Sequence, residues 1–187
     1  MEHLAIDEDM NFSPALTRLA EQLINACRDK KLKLATAESC TGGLIAGCLT
    51  AVTGSSVVIE RGFVTYSNEA KSEMLNVPES LIIRVGAVSE EVSRSMAEGA
   101  LANSRAQLTL AVTGIAGPGG GTVEKPVGLV HHACSLMGKT TLHERHVYSG
   151  DRNAVRVSSI KTSLRMAIKF LEKHSETVCL QSISREQ

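Results

Sequence analysis

The sequence predicts an α/β protein: a three-layer α/β/α arrangement around a mixed, mostly parallel sheet that ends in an antiparallel hairpin. Three observations carry this. Strand-like runs rich in β-branched residues alternate with helical ones along most of the chain. Two of those runs, "LKLATA" and "QLTLAVTG", lead into glycine-containing turns, as strands of open parallel sheets do. The last two strand-like runs follow each other across a two-residue turn, ahead of a long amphipathic stretch.

Residues 1–12 form a lead-in without periodicity. Ser13-Pro14 opens the first helix, with serine as N-cap and proline in the first turn, where its missing N–H costs nothing. Leu16, Leu19, Leu23 and Cys27 follow at helical spacing. "LKLATA" is a short strand, "TAESCTGG" the turn that closes it and "GGLIAGCLTAV" the next helix. "SVVIERGFVTYS" is expected to be strand, and "NEAKSEML" a helix capped by Ser67 or Asn68 with Lys71 in its first turn. After Pro78 come a short helix over 79–84 and a longer one in "SEEVSRSMAEGALANS", capped by Ser89, with Glu90 and Glu91 at the positive end of its dipole. "QLTLAVTG" is a buried strand feeding the loop "GIAGPGGGTVEKPVG". "LVHHACSLM" and "TTLHERHVYS" make a hairpin across Gly138-Lys139. The last helix, roughly 151–173, places Val157, Ile160, Leu164, Ile168 and Leu171 on one face. A polar tail, 175–187, follows, so one domain is expected over 13–174.

Composition narrows the function. The chain has 187 residues, 43% of them hydrophobic, enough for one domain with a sizeable core. Twenty basic and twenty acidic residues cancel, so no global field attracts nucleic acid or an acidic membrane, and a small-molecule substrate fits better than a polyanion. Five scattered cysteines without a C-x-x-C pair point to a reducing compartment rather than a disulfide framework or zinc site. The N-terminal residues carry no basic patch followed by an apolar run, and no stretch of about eighteen apolar residues occurs. The expectation is a soluble, cytoplasmic protein. A homo-oligomer is compatible with the chain, but neither charge nor periodicity fixes one.

Several familiar chemistries fail on inspection. "GIAGPGGG" satisfies neither the P-loop pattern nor G-x-G-x-x-G, because Thr122 stands where the last dinucleotide glycine belongs. The loop leaves the end of a central strand, where open sheets place ligands, so the backbone of Gly114, Ala116 and Gly117 can approach one closely; read alone it is equally a surface turn. The pairs His131/His132 and His143/His146 each point to opposite faces of their strands, and no metal and no cofactor are expected.

The turn over residues 38–43 is the remaining candidate. A strand-to-helix turn can expose a nucleophile at the sheet edge while the amides opening the helix face the same point. Ser39, Cys40 and Thr41 stand side by side there, and the same triplet also serves as a plain helix cap. A serine nucleophile needs a base. With histidine unsupported, a neutral lysine is the main alternative, and Lys71 is placed to become one: the positive end of its helix dipole and burial both favour the free amine. An ordinary solvated lysine is the competing reading of that position.

Five stretches, "TAESCTGG", "GSS…ERGFVTYSNEAK", "GAVSEE", "VTGIAGPGGGTVEKPVG" and "GDRNAVR", in this order, closely resemble the CinA C-terminal domain family, including its stand-alone nicotinamide-nucleotide amidohydrolase members, over residues 14–173. The resemblance implies hydrolysis of nicotinamide mononucleotide to nicotinic acid mononucleotide and ammonia without metal. It also implies that Ser39 is the nucleophile, Lys71 its activator and Tyr66 a third participant. On that reading the amides near Thr41, Gly42 and Gly43 stabilise the oxyanion, and Arg152 is the first candidate for the substrate phosphate. Asn68, Thr113, Gly114, Ala116 and Gly117 are further contacts, while Arg156 is taken as a solvated face. Two other readings stay open: a non-catalytic nucleotide-binding or competence/damage-related interaction domain, and a broader amidase or peptidase using the same pair.

Overall fold

The structure, a computed structural model, describes residues 12–174. The expected tail and all of the lead-in except Phe12 lie outside the described residues. Helix α1 (Pro14–Asp29) begins at Ser13, whose side chain accepts from the Leu16 amide. Strand β1 (Leu34–Glu38) runs into a turn and then α2 (Leu44–Thr50), a helix shorter than its sequence pattern because it starts only after Gly43. The run "SVVIERGFVTYS" is strand only in part: Gly54, just ahead of it, adopts a left-handed conformation, Ser55–Val57 form one turn of 3-10 helix, and β2 spans Ile59–Val64.

Helix α3 (Asn68–Leu75) is capped by the Ser67 hydroxyl, which accepts from the Ala70 amide. Then come α4 (Glu79–Val85), α5 (Glu90–Ala102) capped by Ser89, β3 (Leu108–Gly114), β4 (Leu129–Leu136), β5 (Leu142–Val147) and α6 (Arg152–Lys173) capped by Asp151. The five strands are ordered β2-β1-β3-β4-β5; β2, β1 and β3 are parallel, while β4 and β5 pair antiparallel. No helix among the described residues is long and apolar enough to cross a membrane.

Side-chain size separates the two faces of the sheet. Strand alternation puts Leu34, Leu108, Leu110, Val112 and Val130 under α1, α2 and α6, against Leu23, Ile45 and Leu164. The opposite face carries Ala35, Ala37, Ala111 and Ala133, small enough to seat α5 closely through Met96, Ala97 and Ala100. Gly99 on α5 is required by the same closeness, since a Cβ there would lie 2.0 Å from the Leu75 carbonyl oxygen at the end of α3. In α6 the buried face is Val155, Ile160, Leu164, Ala167, Phe170 and Leu171; Val157, expected to be on it, is 39% exposed.

Register determines where the chemistry falls. Glu38, the last residue of β1, pairs with Val64, the last of β2, and with Val112 of β3, so β1 and β2 end together while β3 continues to Gly114. Ser39 and Thr65 leave the sheet beside Thr113, at the carboxyl ends where such folds hold their ligands.

Candidate active site

Ser39 follows β1 directly, with its amide donating to the Val112 carbonyl at 3.0 Å and its own carbonyl accepting from Gly42 at 3.1 Å. Two successive glycines in the left-handed region, Gly42 at φ 61° and Gly43 at φ 95°, turn the chain into α2. Lys71, the fourth residue of α3, is 1% exposed and reaches back to this turn. Its Nζ lies 3.2 Å from Ser39 Oγ. The same nitrogen lies within hydrogen-bond reach of three consecutive carbonyls, those of Thr65 at 2.9 Å, Tyr66 at 3.3 Å and Ser67 at 3.2 Å. Burial holds the Lys71 pKa below the ordinary lysine value, with Cys40 and the Glu69 carboxylate opposing. Among the described residues Lys71 is the one hydrogen-bond partner of Ser39 Oγ.

The other expected residues divide into those drawn into this cluster and those that are not. The Tyr66 carbonyl accepts from Lys71, whereas its phenol, on a side chain turned outward, accepts from Arg152 Nη2 at 3.1 Å. Arg152 Nη1 donates to the Gly117 carbonyl at 3.0 Å, so this guanidinium spans the gap between the β2–α3 loop that carries Tyr66 and the glycine-rich one. Thr113 is buried and gives its hydroxyl proton to the Ala87 carbonyl at 2.9 Å. Ala116 and Gly117 are buried; Gly114 lies against β4, where a Cβ would meet the Leu129 carbonyl oxygen at 2.8 Å. Asn68 is exposed at the start of α3, on a shallow groove shared with Glu69, Ser72 and Ile83 rather than on the Ser39 turn.

Several N–H groups expected to face a ligand are committed elsewhere. Gly42 N–H donates to Ser39, and Gly43 N–H donates to a Glu38 carboxylate oxygen at 3.1 Å. Among the described residues the amides of Cys40, Thr41, Ala116 and Gly117 donate to no other residue. The Cys40 thiol is buried in the core, and its pKa is pushed up to about 12 by that burial, with its own backbone amide, Arg152 and Arg156 opposing and the Glu38 charge reinforcing.

Two residues come to the site that the sequence reading passed over. Arg156, taken as a solvated face, donates from Nη2 to the Thr41 carbonyl at 3.1 Å, and its Nε is buried without a partner. Glu38, assigned no role, is 0% exposed and receives five hydrogen bonds: from Thr36 Oγ1, Thr41 Oγ1 and the amides of Gly43, Ile45 and Ala46. A faint signal existed for it, an acidic residue at the end of an apolar strand and just ahead of a helix with no capping side chain of its own.

The histidines are held in pairs on opposite faces of the hairpin. His131 Nδ1 meets His143 Nε2 at 3.0 Å on the α5 side, and buried His132 bonds Ser163 Oγ and the Tyr148 phenol, each at 3.0 Å, on the α6 side. None of them reaches Ser39. Among the described residues no group of three or more His, Cys, Asp or Glu side chains is arranged to hold a metal ion.

A parallel-edge turn bearing a serine, with a buried lysine supplied by the first turn of α3, defines an α/β domain with a serine–lysine pair at its sheet edge. Residues 16–171 match the CinA C-terminal domain, and the chain belongs to that family. It is 52% identical over 144 residues to a CinA-like protein of Akkermansia muciniphila, covering 77% of this chain and 35% of that one. The chain thus spans little more than a third of the length of the longer curated relatives it matches. It is 48% identical over 141 residues to the nicotinamide-nucleotide amidohydrolase PncC of Escherichia coli K12, covering 75% of this chain and 86% of that one. A crystal structure of the competence/damage-inducible protein CihA from Agrobacterium tumefaciens superposes with a TM-score of 0.84 at 47% identity, over 87% of this chain and 98% of that one.

Proposed function

We propose that the chain is an amidohydrolase that converts nicotinamide mononucleotide to nicotinic acid mononucleotide and ammonia, with Ser39 as nucleophile and Lys71 as its base. The observation that carries the reading is the 3.2 Å approach of Lys71 Nζ to Ser39 Oγ by a lysine withdrawn from water. The identity to the Escherichia coli amidohydrolase over most of both chains supports the substrate class.

In the reaction, the neutral Lys71 amine takes the Ser39 hydroxyl proton as Oγ attacks the carboxamide carbon. The oxygen of the tetrahedral intermediate falls to the amides of Cys40 and Thr41, which donate to no other described residue, in place of Gly42 and Gly43 whose N–H groups are already donated. Collapse breaks the C–N bond, and the Lys71 ammonium returns its proton to the departing nitrogen, which leaves as ammonia. Lys71 then deprotonates a water that attacks the ester, releasing the carboxylate and restoring the Ser39 hydroxyl. Tyr66 contributes its carbonyl to the lysine and its phenol to Arg152, not a proton relay. Arg152 stands for the phosphate, and the Ala116 and Gly117 amides line the approach with it.

The direct test is ammonia release from nicotinamide mononucleotide, with and without a chelator. Turnover that persists with chelator is expected. Complete loss on chelation would overturn the serine–lysine route. Competition by nicotinamide against its mononucleotide separates this reading from a general amidase, since only the nucleotide offers a phosphate to Arg152.

A further inference from the structure

The residue just before the nucleophile is a carboxylate taken wholly out of water. Such a group is costly unless its lone pairs are filled, and Glu38 fills them without a cation: among the described residues it has five neutral donors and no ion pair. Three of the donors are backbone amides opening α2, whose N-cap position, Gly43, has no side chain to offer them. The strand end before the helix does the capping instead.

The effect on Ser39 follows from what lies on either side of it. Upstream, the Glu38 carbonyl accepts from Thr65 N–H at 2.8 Å and Ser39 N–H is held by Val112, so the strand end is fixed. Downstream, the turn contains two left-handed glycines and has little stiffness of its own. What ties its far side back to the strand is the Glu38 carboxylate, at 2.7 Å from Thr41 Oγ1, 2.9 Å from Ile45 N and 2.8 Å from Ala46 N. Thr65 joins the two halves of the site, because its N–H holds Glu38 and its carbonyl holds Lys71 Nζ.

We propose that Glu38 is a positioning residue for the nucleophile: its carboxylate clamps the start of α2 onto the end of β1 and thereby sets Ser39 Oγ opposite Lys71 and the Cys40 and Thr41 amides opposite the reacting carbonyl. The proposal rests on the serine–lysine reading above. It also means that the positive end of α2 is answered internally, leaving the substrate to the turn's own amides.

Glu38→Gln tests it, because the variant keeps the size of the side chain but sets an NH2 against donors. Each carboxylate oxygen accepts at least two hydrogen bonds, so either amide orientation opposes N–H to N–H. Well below the melting temperature, kcat is expected to fall about 30–100-fold with KM within about threefold, the signature of a displaced reacting atom. A fluorophosphonate reports on the nucleophile without the nucleotide: Oγ attacks phosphorus, fluoride leaves and the hydroxyl proton passes to Lys71. Its rate at Ser39 is expected to fall by a similar factor. Thr36→Val removes one donor while remaining a good strand residue, and a fall of about 3–10-fold in both rates is expected.

A purely structural role would lower the melting temperature and leave both rates of the folded protein unchanged. A folded Glu38→Gln enzyme with both rates within about twofold of wild type overturns the proposal; if that variant does not fold, unchanged rates in Thr36→Val do so. Wild-type protein that labels at Ser39 yet releases no ammonia refutes the nucleotide substrate, while the labelling ratios still decide the role of Glu38.

Discussion

Removing Lys71 should separate the fold from the chemistry. Ser39 Oγ has no other hydrogen-bond partner among the described residues, so Lys71→Ala leaves no side chain to accept its proton. General-base transfer is worth about 10²–10⁴-fold, or about 3–5 kcal/mol of barrier, and kcat for ammonia release should fall by at least that range because the same amine also protonates the leaving nitrogen. Lys71→Arg should be equally inactive, since a guanidinium does not deprotonate at accessible pH. The pH profile gives the sign. Burial lowers the Lys71 pKa, and the proposed mechanism uses the neutral amine, so wild-type kcat should rise with pH and level off below the ordinary lysine range. The Lys71→Ala rate should instead keep climbing with hydroxide and respond to a small added alkylamine that fits the vacated space. Circular dichroism should show the variant folded. A folded Lys71→Ala enzyme with kcat within tenfold of wild type, or one with the wild-type pH plateau, would refute the assignment of the base.

The remaining expectations concern its neighbours. Cys40→Ala should keep kcat within about threefold, because a buried thiol with its pKa pushed up to about 12 is not a thiolate at neutral pH; a loss matching Ser39→Ala would move the nucleophile one residue along. Arg152→Ala, which loses the bonds to Gly117 and Tyr66, should raise KM for the mononucleotide at least about tenfold with a smaller change in kcat, and an unchanged KM would remove Arg152 from the phosphate. Buried His132, pushed down to about 3, binds its proton in the unfolded chain from about pH 6.5 downward and not in the folded one. Melting temperature should therefore fall as pH drops from about 6.5 toward 3, and a His132→Gln variant should show a shallower fall.

Local chemistry made most of the elements readable. Ser13, Ser67 and Ser89 are caps whose side chains accept the amides expected of them, and the strand patterns of β1, β3 and the hairpin lie within a residue or two of the observed limits. What escaped reading depends on partners remote in sequence. Gly54, ahead of "SVVIERGFVTYS", adopts a left-handed conformation and starts a 3-10 turn that takes up the first residues of that run, which its β-branched residues do not announce. Ser39 and Lys71 meet only through the β1–β2 register, which brings Thr65 beside Glu38. The side-chain face of α6 hid Arg156, whose long side chain reaches Thr41 from a position that periodicity assigns to solvent. Glu38 was barely readable for a physical reason: a lone acid in a strand is ordinarily a solvated one, and the donors that make its burial tolerable include the amides of a helix seven and eight residues ahead.

The lysine is cradled by peptide oxygens at three successive positions, and peptide oxygens are the part of a protein that point mutation leaves in place. The side chains at Thr65, Tyr66 and Ser67 can therefore be exchanged one at a time without removing an acceptor from Nζ. This arrangement separates two kinds of information along one short segment. The main chain keeps the Lys71 amine where it is, and the outward-facing phenol of Tyr66, joined to Arg152, takes no part in holding it. A library randomised at position 66 should accordingly redistribute substrate preference while leaving the fluorophosphonate reactivity of Ser39 nearly constant.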